Sequence, residues 1–117
     1  MSCFACHLKK NSENPLCFWK DDLKEVLQLC LESDAIVIGT PIYYGSISSS
    51  AQAFLERLLF AADTYVLDED GNRVSKIKKE IKTAMIYTMN VTKEMDYFNG
   101  EDQLAIMRGY LTAIFGE

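Results

Sequence analysis

The stretch Ala35-Ile36-Val37-Ile38-Gly39-Thr40-Pro41-Ile42-Tyr43-Tyr44-Gly45-Ser46-Ile47-Ser48-Ser49 decides the fold. Its first four residues form a short unbroken apolar run, mostly β-branched, that ends at Gly39. This is the pattern of a strand covered on both faces. Thr40 to Ser46 predicts a strand-to-helix loop, because Pro41 lacks a backbone donor and Gly45 frees the chain. A helix is expected from Ser49 to Ala61. Ile47, Ala51, Phe54, Leu55, Leu58 and Leu59 make its apolar face, Ser49 and Gln52 its cap, and Glu56-Arg57 lies off that face.

Working outward, Leu23, Val26, Leu27, Cys30 and Leu31 recur at helical spacing between Asp21 and Leu31. Asp22 is the expected cap there, with Glu25 three residues on closing a capping box. Beyond the second helix, Asp70-Gly71-Asn72 sits between Tyr65-Val66-Leu67 and Arg73-Val74, which predicts an inserted hairpin over Thr64 to Ser75. Thr83 to Thr88 reads as a second buried strand. Leu104, Met107, Leu111, Ile114 and Phe115 give a third amphipathic helix. Strands alternating with helices imply a parallel α/β sheet with right-handed crossovers and helices on both faces.

The chain has 117 residues, a quarter of them charged and 49% hydrophobic, with a net charge of −5. That suits one soluble globular domain over residues 1–117. The acidic balance and the lack of a basic stripe argue against a nucleic-acid partner. No apolar run approaches the ~20 residues of a membrane span, and no leader pattern is visible, so a cytoplasmic protein is expected. Four cysteines in such a chain predict thiols or ligands in preference to disulfides.

In open α/β sheets ligands bind beyond the carboxyl ends of the strands, where Thr40 to Ser46 lies. A stiff Pro/Gly loop lets backbone groups approach a flavin ring closely, and Tyr43 and Tyr44 offer an aromatic wall or a phenolic hydrogen bond. The same residues also fit a loop merely tucked over the core. Neither Ser46 nor Ser48 sits in a Gly-x-Ser-x-Gly elbow, which removes hydrolase chemistry. Asp68 to Asn72 lacks the ligand alternation of a calcium loop and reads as a solvated turn.

The segment Ser33 to Leu58 closely resembles the flavin-binding segment of the NAD(P)H-dependent FMN reductases and of their iron–sulfur flavoprotein relatives. The resemblance, looser elsewhere, runs from Cys3 to the last helix. It implies a flavodoxin-like three-layer α/β/α fold with a parallel sheet. It also implies FMN held against Pro41, Ile42, Tyr43, Tyr44, Gly45 and Ser46, with Thr88, Met89 and Asn90 in a second loop near the ring. Electrons would pass from NADH or NADPH through FMN to a quinone, a nitro or azo compound, a free flavin or a protein acceptor, with no side chain acting as acid or base. A homodimer is implied as well. The family's first strand, with its Ser/Arg-rich phosphate loop, and a last strand have no counterpart in this sequence. The domain is therefore expected to be the central portion of an incomplete whole, and a cofactor-free fragment is one alternative.

Cys3, Cys6 and Cys17 resemble part of the cysteine set that holds a [4Fe–4S] centre in the iron–sulfur flavoproteins. That gives a second alternative, an electron carrier. With His7 the same residues would make a Cys3His zinc site. They also read as free thiols in a loop, with His7 exposed to solvent and Cys30 a small buried hydrophobe.

Overall fold

The computed structural model describes residues 3–8, 13–90 and 100–116, with the side chains of residues 100–104 excepted. The expected contribution of Leu104 therefore lies outside the described side chains. A single 3-10 turn (Ala5–His7) precedes α1 (Leu23–Glu32), β1 (Ala35–Tyr43), β2 (Ser46–Ile47), α2 (Ser49–Ala62), β3 (Asp63–Leu67), β4 (Arg73–Ser75), β5 (Lys82–Thr88) and α3 (Gly100–Phe115). The predicted alternation is present, and the predicted hairpin is the antiparallel pair β3–β4.

The central sheet has the order β2-β1-β5. β1 and β5 run parallel in continuous register from Ala35↔Lys82 to Pro41↔Thr88. Ile36, Ile38 and Thr40 point to one face of β1 and are buried, whereas Val37 on the opposite face is 63% exposed. A side chain at Gly39 would meet nothing within 4 Å on that second face. The expectation of strands covered on both faces is thus corrected to one covered face. Side chains from all three helices enter one cluster on the Ile36/Ile38 face, among them Leu27, Leu55, Leu58, Leu111, Ile114 and Phe115. β5 follows suit, with Met85 packed against that cluster while Ile86 is exposed.

Strand β1 also runs further than the sequence predicts. It continues through Pro41 to Tyr43 and folds back on β2, pairing Ile42↔Ile47 and Tyr43↔Ser46. Pro41 stands at the last rung with β5 and before the first rung with β2, where a missing N–H disturbs the ladders least. Tyr44 and Gly45 form the two-residue connection at φ 51° and 77°, the positive values that a tight hairpin of primed type requires at both central positions.

The predicted cap of α2 moves by one residue. Ser48 caps α2, its Oγ accepting from Ala51 N–H at 3.3 Å, and Gln52 instead donates to Glu56. Asp22 occupies the cap position of α1 in helical conformation without a side-chain bond. Asp21, one residue earlier, accepts the Lys24 N–H at its main-chain carbonyl, while its carboxylate holds the Arg57 guanidinium through two bonds of 2.7 and 3.0 Å. At the hairpin tip, Asp68 Oδ1 accepts from the N–H groups of Asp70 and Asn72, and Gly71 takes φ 82°. That is the solvated turn expected from the sequence.

Leu55 is fully buried in the cluster. Leu55→Ala is expected to cost about 2–5 kcal/mol, read as a lower urea midpoint with an unchanged slope. The Asp21 carboxyl is held below its ordinary value chiefly by Arg57, then by the α1 amides. Its folded-state value is depressed, so its contribution to stability is present above the unfolded value and lost as pH falls through and below about 4. Asp21→Asn should flatten the fall in urea midpoint between neutral pH and that acid range. An equally steep fall in the variant would show that other carboxylates dominate.

Candidate functional site

The parallel ladder places the ends of β1 and β5 side by side, since Pro41 and Thr88 are partners on its last rung. The two loops singled out in the sequence therefore leave the sheet from adjacent strands at the same carboxyl edge. Pro41 and Ile42 are half-buried at the base of the projecting hairpin. Tyr43 is 64% exposed and Tyr44 wholly so. Gly45 is half-buried at the tip and Ser46 exposed, and Thr88, Met89 and Asn90 are exposed on the neighbouring loop.

The hairpin is anchored from below. Thr40, buried in β1, donates from Oγ1 to Ser48 Oγ at 3.2 Å and accepts from Ser48 N–H at 3.1 Å. Ser48 in turn caps α2, so one hydroxyl pair fixes the strand end, the returning strand and the helix start. Neither Thr40 nor Ser48 stands out in the sequence as an anchor of the site. Their only sequence signal is a hydroxyl residue closing a strand eight positions before another opening a helix.

A planar heteroaromatic ring would find accessible tyrosine faces on this edge and backbone unencumbered at Gly45, so the residues present fit such a group. Gly45 at φ 77° is in the left-handed region, where a β-branched residue is strained.

A second concavity lies elsewhere. It is a crevice of about 940 Å³ between the amino-terminal segment, α2, the β3–β4 hairpin and α3, and no residue of the β1–β2 hairpin lines it. Aromatic side chains dominate one wall. His7, which the sequence places in solvent, is half-buried instead, with Nε2 2.8 Å from the Phe60 carbonyl and its ring 4.5 Å from that of Phe60 and 5.2 Å from that of Tyr65. Arg73 pairs with buried Asp63 and lies 5.5 Å from the ring centres of both Tyr65 and Tyr110. Burial, with the Asp63 charge next, pushes the Tyr65 phenol up. Lys76, also buried, donates from Nζ to the Cys6 carbonyl at 3.2 Å, and burial lowers its ammonium.

Cys3, Cys6 and Cys17 all line this crevice. Among the described residues no three His, Cys, Asp or Glu side chains are placed to hold a metal ion, and His7 is turned to Phe60. Cys30 is partly buried and packs against the core, as its helical position predicts. Among the described residues no helix is long and apolar enough to cross a membrane.

The pattern of the family described as having a flavodoxin-like fold matches residues 3–116. An iron–sulfur flavoprotein of Archaeoglobus fulgidus is 44% identical over 41 residues, which cover 35% of this chain and 20% of that protein. An FMN-dependent NADH:quinone oxidoreductase of Stenotrophomonas maltophilia is 38% identical over 50 residues, 43% of this chain and 26% of its own. A second oxidoreductase so named, from Pseudomonas aeruginosa, is 40% identical over 48 residues, 41% of this chain and 24% of its own. The matched stretches span only about a fifth to a quarter of the length of these relatives. No solved structure matches. A family match over nearly the whole sequence, together with a parallel β1–β5 pair and helices following the strands, establishes that the chain belongs to the flavodoxin-like fold family.

Proposed function

We propose that this chain carries the ring-binding edge of an FMN-dependent NAD(P)H oxidoreductase. The observation that carries the reading is the shared last rung, Pro41↔Thr88, which sets two exposed loops of matching family position beside each other. Bound FMN would supply hydride acceptance from reduced nicotinamide and onward electron delivery to a quinone, a nitro or azo compound, or a free flavin. The names of the two oxidoreductase relatives favour the quinone class.

The chain's own residues bind and orient. Tyr43 and Tyr44 offer ring faces for stacking, while Gly45 admits close backbone approach. Pro41 stiffens the hairpin base, and Thr40 with Ser48 holds it against α2. No side chain at this edge is required as an acid or base. The uncovered sheet face, with Val37 and Ile86 exposed, supports a homodimeric or larger assembly of the working protein.

A second reading, an iron–sulfur flavoprotein electron carrier, draws support from the relatives so named and from the three cysteines sharing one crevice. It requires iron and acid-labile sulfide in anaerobically purified protein.

The deciding experiment is the visible spectrum of that protein before and after adding FMN, then NADPH or NADH. Flavin bands that sharpen on binding and bleach with nicotinamide are expected, and a spectrum equal to that of free FMN would end the proposal. Gly45→Val should lose flavin and, because it strains a left-handed position, also lower the urea midpoint by the equivalent of about 1–3 kcal/mol. Tyr44→Ala should weaken flavin roughly two- to twelvefold, from a stacking contribution of about 0.5–1.5 kcal/mol, measured by fluorescence quenching.

A further inference from the structure

The crevice between the amino-terminal segment, α2, the β3–β4 hairpin and α3 gathers aromatic side chains that the core leaves uncovered. Phe4, Trp19, Tyr65 and Tyr110 all line it, and each is 45–63% exposed. Single exposed rings on a surface need no explanation, but these converge from four separate parts of the chain on one concavity. Tyr65 is placed there in a costly conformation. It takes φ 58°, a left-handed value that bulky residues rarely adopt, at the irregularity between the Asp63 and Leu67 rungs of the hairpin. Asp63 Oδ1 accepts its N–H at 2.8 Å. In that conformation its ring meets Arg73, whose guanidinium carbon lies 5.5 Å from the ring centres of both Tyr65 and Tyr110. The wall therefore already holds one cation against its aromatic rings.

The charges of the wall decide the sign of a ligand. Three carboxylates and two guanidiniums line it, and Arg73 neutralises Asp63 while Arg57 neutralises Asp21. The third carboxylate, Glu56, is exposed and accepts from the neutral Gln52 amide at 3.0 Å. Among the described residues Glu56 has no cationic partner. The lining thus carries one net negative charge, and the negative faces of its rings add to that. An anion would meet Glu56 and find both guanidiniums already paired. A volume of about 940 Å³ accommodates a small molecule, and Leu59 and Met107 offer apolar contact in the same wall.

We propose that this crevice is a binding site for a small organic cation with an aromatic body, of the quaternary ammonium class. Such a head is weakly hydrated and has no N–H to satisfy, so ring faces suit it better than hydrogen-bond acceptors do. Glu56 supplies the uncompensated charge that draws it in, and Phe4 and Trp19 supply rings that Arg73 does not occupy. No residue of the β1–β2 hairpin lines the crevice, so the site is independent of flavin binding.

Trp19 is the single tryptophan of the chain, so its emission reports occupancy directly. The full chain is titrated at fixed ionic strength with benzyltrimethylammonium, benzyl alcohol and benzoate, which share a ring and differ in charge. Saturable quenching by benzyltrimethylammonium is expected, with the neutral and anionic probes each weaker by roughly fivefold or more. Phe4→Leu, which removes a ring and keeps apolar bulk, should weaken the cation roughly two- to fivefold and leave benzyl alcohol unchanged. Glu56→Gln should weaken the cation by a similar factor and narrow its margin over benzoate. Both side chains are exposed, so neither variant opens the core. Quenching that rises linearly as it does for free N-acetyltryptophanamide, equal affinity for the three probes, tighter binding of benzoate, or a cation affinity unchanged in both variants would each overturn the proposal.

Discussion

The parallel pairing of β1 with β5 is the constraint on which the rest depends. Its seven rungs keep Ile36 and Ile38 in phase with Thr83 and Met85, so both strands turn their buried sides to the same helices. A one-residue slip would exchange every buried side chain for an exposed one, which the Leu55, Leu58, Leu111 and Phe115 cluster could not absorb. The same register sets Pro41 against Thr88. Core packing and the geometry of the candidate site therefore follow from one alignment.

Two small polar arrangements transmit that alignment to the helices. Thr40 and Ser48 join the end of β1 to the start of α2, and because both hydroxyls are partly or fully buried, each must find a partner. Asp21 joins the start of α1 to the middle of α2 through Arg57. Helix propensity alone would leave these junctions free to rotate; the shared partners remove that freedom.

Much of this was legible in the sequence where the pattern was long and periodic. Leu27, Leu55, Leu58, Leu111, Ile114 and Phe115 were placed by helical spacing, and Asp70-Gly71-Asn72 by its turn chemistry. The failures share a cause. Ala35 to Ile38 was read as buried on both sides because an apolar run carries no record of which face is covered, and Val37 proved exposed. Pro41 was read as a strand breaker because the sequence does not show that it falls between two ladders, where its missing N–H matters little. The neighbouring pair Ser48-Ser49 leaves the α2 cap undecided by one residue, and the distant partner Thr40 settles it.

The two concave regions divide the chain's chemistry in a way the sequence order conceals. The tyrosine hairpin belongs to the strand ends, where the sheet determines position and the side chains remain open to solvent. The cysteine crevice belongs to the helices and the inserted hairpin, and pairs Asp63 with Arg73 and Asp21 with Arg57 along its wall. A group whose charge is already neutralised contributes little net attraction to a ligand, which leaves the aromatic faces and Glu56 to act there. Among the described residues the hairpin edge has no such ion pairs and presents backbone and tyrosine ring faces. α2 borders both regions, with Thr40 and Ser48 at its first turn and Arg57 in the crevice wall near its middle.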